Sequence, residues 1–124
     1  MTTLNTMEKT SALSRTKREK KIRKEMGGLN DLLLKAVDET LNHIFKEAGA
    51  KVIYNYLENK CHLRREEIVE KPDVFSVSLK RLLVSAAPLV EKMILENLYS
   101  KLELKFEERE GYEFSDYIME LKES

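Results

Sequence analysis

The stretch Pro72–Leu104, PDVFSVSLKRLLVSAAPLVEKMILENLYSKLEL, is the longest densely apolar region of the 124-residue chain. Its spacing is helical. Phe75, Leu79, Leu82 and Leu83 share one face; beyond a break at Ser85-Ala86-Ala87-Pro88, the residues Leu89, Val90, Met93, Ile94, Leu98 and Leu102 recur at three- and four-residue intervals. Pro72 suits the first position of one helix, where its missing N–H costs nothing, and Asp73 complements that helix's N-terminal dipole. Pro88 opens the next helix in the same way. Two helices so apolar need facing surfaces, which the flanking segments must supply.

Upstream, Leu29, Leu33, Val37, Leu41, Ile44, Phe45 and Ala48 keep one helical face, with Asn30 or Asp31 at the cap or first turn. Gly49 fits a helix end. A second apolar stripe of Ala50, Ile53, Tyr54, Leu57 and Cys61 begins at once, so the two segments form either a hairpin or one bent helix. His62–Lys71 reads as a connector with one helical turn that tucks Leu63 and Ile68 inward. Downstream, Leu102, Leu104 and Phe106 alternate with Glu103 and Lys105 ahead of a turn at Glu108–Gly111, a pattern open to a small hairpin or a loop over residues 104–114. Phe114, Tyr117, Ile118 and Leu121 then have the spacing of a closing amphipathic helix. The fold class that follows is all-α: a compact bundle of about five to six helices. Residues 29–124 form a single helical domain and residues 1–28 a flexible, disordered or frayed-helical basic arm.

Composition narrows the function classes. The length suits one domain, and 42% hydrophobic residues allow a modest core. No apolar run approaches the ~20 residues of a membrane span, and the N-terminal stretch lacks a signal peptide's apolar core, so the chain reads as cytoplasmic. A single cysteine, Cys61, excludes an intramolecular disulfide and fits a reducing compartment. Charged residues at 35% with no glutamine give a thermophile-like balance, because desolvating ion pairs costs less as temperature rises.

The zero net charge hides an asymmetry. Residues 1–26 carry eight Lys/Arg against three Asp/Glu, and the remainder carries fourteen against nineteen. The surplus concentrates in Arg15, Lys17, Arg18, Lys20, Lys21, Arg23 and Lys24, a candidate polyanion-binding run that would gain from counterion release on DNA or RNA. No aromatic residue is interleaved for base stacking, and the acidic body would repel the same backbone. The helix–break–helix at Phe75–Leu102 has a helix-turn-helix outline, yet its second helix carries Glu91 and Glu96 where basic or amide readers would be wanted. Nucleic-acid association through the arm is therefore the alternative reading, beside a merely solubilising arm. With Ile22 as its one apolar residue, Arg15–Lys24 has little to insert into a membrane surface.

Catalytic and metal chemistry find no constellation. His43, Cys61 and His62 lack the pairing of a zinc site, and Cys61 sits on the apolar stripe of its helix, as a buried inert thiol does. Gly27-Gly28 follows a basic arm and not a strand, so it makes no phosphate loop. The body's carboxylates read as a solvated face, with none placed in an apolar setting. No catalytic, cofactor-binding or metal-binding residue is assigned, no cofactor is implied, and no small-molecule ligand is evident. Met93, Leu95 and Tyr99 extend a second apolar side of the Pro88–Leu102 helix. They are candidates either for the core of a monomer or for self-association.

The order of GAKVIYNYL (Gly49–Leu57), HLRREEIVEKPDVFSVSL (His62–Leu79), APLVEKMILENLYSKLELKFEE (Ala87–Glu108) and FSDYI (Phe114–Ile118) resembles the nitrosopumilus output domain family. The likeness covers about Leu32–Leu121 and leaves the basic arm outside. Where that family would have a small residue, often Gly, between the two central helices, this chain has Ser85-Ala86. The resemblance implies an archaeal, all-helical module found alone or beside signalling domains, with no activity assigned, and it carries over no catalytic residue. The expected function is a non-enzymatic helical interaction or signalling-output module, self-associating or bound to a protein partner.

Overall fold

The computed structural model describes residues 28–123. The candidate polyanion-binding residues Arg15, Lys17, Arg18, Lys20, Lys21, Arg23 and Lys24 lie outside them. Among the described residues the fold is all-helical: α1 (Gly28–Cys61), α2 (Pro72–Leu83), α3 (Ala87–Lys101) and α4 (Phe114–Glu123), with 3-10 turns at Arg65–Glu67 and Val84–Ala86. There is no strand among them, so residues 104–113 are a connection and not a hairpin.

Helix α1 carries both apolar stripes expected upstream and bends sharply between them. The break is at Lys46 (φ 65°, ψ 176°), a conformation that is essentially glycine's own. The Tyr54 hydroxyl donates to Asp38 Oδ1 at 2.9 Å. Sixteen residues of straight helix would span about 24 Å, so α1 must double back at Lys46 for that bond to form. Gly49 is therefore not the helix end expected from the sequence. It lies just past the kink, where a β-carbon would sit 2.7 Å from Cβ of Phe45. Ala48, expected on the apolar face, is exposed for the same reason: the turn rotates it outward.

The two central helices start as Pro72 and Pro88 indicate, each proline occupying the first turn of its helix. Between them Val84 (φ 54°, ψ −116°) takes a backbone conformation that a β-branched residue strongly disfavours. Its side chain is 69% exposed, so nothing it buries offsets that strain. The position where a glycine would relieve the link is thus Val84, one residue ahead of Ser85-Ala86.

Helix α3 ends in a Schellman motif. Leu104 N–H donates to the Tyr99 carbonyl at 2.9 Å and Glu103 N–H to the Ser100 carbonyl at 3.0 Å, with Glu103 in the left-handed region (φ 62°). This stop breaks the alternating pattern after Leu102 and turns the chain toward α4. At the start of α4, Asp116 Oδ2 accepts from the Glu113 N–H at 2.7 Å, which is half of a capping box.

Packing follows the apolar stripes. α1 lies along α3, and α4 packs against both α2 and α3. Leu33, Val37, Leu41, Phe75, Leu79, Ile94, Leu98 and Ile118 are buried in one continuous core, and the connector's Leu63 and Ile68 join it. Phe75 and Phe114 meet at 5.7 Å between ring centroids, tying α4 to α2. At the periphery, Lys101 pairs with Glu39 at 2.8 Å, which holds Glu39 below the usual carboxylate range.

Candidate functional site

Among the described residues one cavity combines space, aromatic walls and a buried charge-bearing group. It has a volume of about 500 Å³ and opens between α2, α3, the 104–113 connection and the start of α4. Each wall has a local cause. The Schellman turn at Glu103 directs the connection back across α3, where Phe106 meets Tyr99 at 5.2 Å and Tyr117 at 5.3 Å. Tyr117 also packs edge-on against Tyr112 at 4.9 Å.

The connection is pinned to α4 by Arg109. Its backbone N–H donates to the Tyr117 hydroxyl at 2.7 Å, and its guanidinium reaches Glu120 at 2.7 Å and the Tyr112 hydroxyl at 2.8 Å. The same guanidinium lies 4.7 Å from the centre of the Tyr112 ring. Contact with Glu120 raises the Arg109 pKa and lowers that of Glu120. Two further ion pairs, Lys80–Glu113 at 3.1 Å and Lys92–Glu108 at 3.7 Å, join α2 and α3 to the far rim.

Glu91 lines this cavity and is only 7% exposed. Ser76 Oγ donates to its Oε2 at 2.6 Å. No described residue hydrogen-bonds Oε1, and no described cation is within ion-pairing distance. Burial pushes the Glu91 pKa above the usual carboxylate range; the Ser76 bond and Lys80 oppose that shift, and Glu113 adds to it. The expectation of a uniformly solvated set of carboxylates is corrected here. The signal was in the sequence: Ala87, Glu91, Ile94 and Leu98 lie on one helical stripe, so Glu91 occupies a core position of α3.

A raised carboxyl pKa makes stability depend on pH. The neutral form favours the folded state, so the contribution of Glu91 is fully present below the ordinary carboxylate pKa near 4.5 and is lost as pH rises through the higher folded value. Glu91→Gln removes that loss. Thermal melts should show the variant gaining on the wild type between pH 4.5 and pH 7.5, and a pH-independent difference would contradict the assignment.

The remaining candidates fall as follows. Leu95 and Tyr99 are buried within the single chain and Met93 is half-buried, so the first two belong to the core. His43 is exposed, and Cys61 is half-buried and not the fully buried thiol expected. Among the described residues no group of three or more His, Cys, Asp or Glu could hold a metal ion, and no helix is long and apolar enough to cross a membrane.

A second feature lies on α2. Val74 and Val77 are 37% and 50% exposed, and they flank a shallow groove of about 380 Å³ formed with Asp73, Arg81 and the end of α1 at Lys60–His62. Neither Asp73 nor Arg81 has an ion-pair partner among the described residues. The chain matches no family model, no curated protein and no solved structure.

Proposed function

We propose that the chain is a non-enzymatic helical interaction module that self-associates through the outward face of α2. The observation that carries this reading is the self-complementary order of that face. Asp73 and Arg81 lie equally far from Val77 along the helix, so two antiparallel copies of α2 crossing at Val77 would set each Asp73 against the partner's Arg81. Such reciprocity is what a two-fold interface requires. The valines supply the apolar centre, and the unpaired charges supply the register. The groove beside Val74 gives room for a partner side chain.

The rest of the body is consistent with a scaffold. The described residues hold four helices, the first of them bent at Lys46, and no strand. The resemblance to the nitrosopumilus output domain family adds an archaeal signalling-output setting, in which a dimer would couple neighbouring domains. Arg15–Lys24 as a nucleic-acid anchor is the second reading, favoured by the charge surplus of residues 1–26.

Sedimentation equilibrium of the full chain tests the first reading. The expected mass is twice the 14.5 kDa of one chain. Val77→Asp should give the monomer with unchanged helicity, because burying an unpaired carboxylate at the two-fold costs more than such a contact gains. Arg81→Asp should weaken the dimer, and Asp73→Arg in the same chain should restore it. A wild-type protein that stays monomeric at about 100 μM would overturn the proposal, since a dimer with a Kd of about 10 μM or tighter would be largely associated there.

A further inference from the structure

The Glu91 cavity is a separate feature from the α2 face, and its chemistry points to a ligand. A volume of about 500 Å³ falls within the range of small-molecule sites. Phe106, Phe114 and Tyr117 line an apolar part of it, and Glu91 is the one buried carboxyl among the lining residues, with no ion pair among the described residues although Lys80 acts on it from a distance. The three lining cations are each engaged: Lys80 with Glu113, Lys92 with Glu108, and Arg109 with Glu120. Four lining glutamates (Glu91, Glu108, Glu110 and Glu113) face those three cations, so the cavity is anionic when all are ionised.

We infer that this cavity binds a small primary ammonium on an apolar stem, with Glu91 accepting from the ammonium and the aromatic wall covering the stem. Three features of the ligand follow. It must be cationic, because a carboxylate or a neutral alcohol would leave Glu91 uncompensated or repel it. It must offer a donor, because Glu91 Oε2 is already occupied by Ser76 and Oε1 is the acceptor left. Its stem must be apolar, because the wall opposite offers ring carbons, which also attract cations through their faces.

The alkylammonium could be a free amine or the side chain of a lysine, and the test separates them. Titration calorimetry of the full chain would use n-hexylamine, Nα-acetyl-lysine methylamide and hexanoate at pH 7.5. Saturable binding of either amine with none of hexanoate is the expected result, and the tighter of the two identifies the source. Glu91→Gln should weaken amine binding by about ten- to hundredfold, the range for losing one charged hydrogen bond. Its melting temperature, measured on the same sample, would show that the loss is not unfolding. Hexanoate binding as tightly as hexylamine, no amine binding by the wild type, or an unchanged affinity in Glu91→Gln would each overturn the inference. The hexylamine–hexanoate comparison needs no variant, so it holds even if the substitution disturbs folding.

Discussion

Phe75→Ala should cost about 3–5 kcal/mol, the usual range for deleting a fully buried phenylalanine and leaving its cavity. Phe75 is wholly excluded from solvent, at 0% exposure, and it is the largest of the fully buried side chains. A domain of this size has about 5–14 kcal/mol to lose in all, so the variant should be marginally folded at 25 °C. Urea denaturation followed by circular dichroism measures the loss directly. The effect should also be local. Phe75 packs on Phe114 at the first residue of α4, so hydrogen exchange should accelerate in α4 before it does in the α1–α3 pair. Phe75→Leu, which keeps most of the volume, should cost less than about 1.5 kcal/mol. A loss below 1 kcal/mol for the alanine variant would mean that α4 does not rest on this ring.

Gly49→Ala tests the kink in α1. On helix propensity alone the substitution should stabilise by about 0.8–1 kcal/mol. Against that, the new β-carbon would lie 2.7 Å from Cβ of Phe45, an atom fixed to the backbone that cannot swing aside. Either the doubled-back α1 opens at Lys46 or the two limbs move apart, and overpacking of this kind costs about 1–3 kcal/mol. The clash should win. Thermal unfolding should fall by several degrees, at roughly 4–8 °C per kcal/mol for a domain of this length. An unchanged or raised melting temperature would show that α1 runs straighter than the Tyr54–Asp38 bond implies.

Both variants bear on the Glu91 cavity, which exists only because α2, α3 and α4 are held at fixed separations. Phe75→Ala should loosen its α4 wall, and Gly49→Ala should act on the far side of the core. Amine binding should therefore suffer more in the first than in the second. The comparison separates loss of the site from general loss of stability.

Local rules explain most of the architecture. Prolines 72 and 88 marked two helix starts because a proline nitrogen has no hydrogen to waste in a first turn. The spacing of Phe114, Tyr117, Ile118 and Leu121 marked α4, and all four are buried. Leu63 and Ile68 were legible as inward-facing for the same reason: isolated large apolar residues in a polar connector have one favourable place to go. Other features escaped local rules. Alternation after Leu102 suggested a strand, but the left-handed turn at Glu103 ends α3 and leaves the segment without a partner strand. Lys46 and Val84 adopt conformations that their residue types disfavour, so no propensity could locate those bends.

The candidate site divides in the same way. The apolar stripe of α3 was readable, and Glu91 lay on it in plain view, but its meaning depended on what faces it. Only the tertiary fold brings Ser76 within 2.6 Å, sets Phe106, Phe114 and Tyr117 around the same cavity as the carboxyl and commits Lys80, Lys92 and Arg109 to other partners. By itself the sequence determined an all-helical chain, the starts of its central helices and a core drawn from their stripes, because these follow from forces acting within a few residues. The doubling back of α1, the course of the 104–113 connection and the buried charge of Glu91 were decided by tertiary structure, because each depends on which surfaces meet across the core.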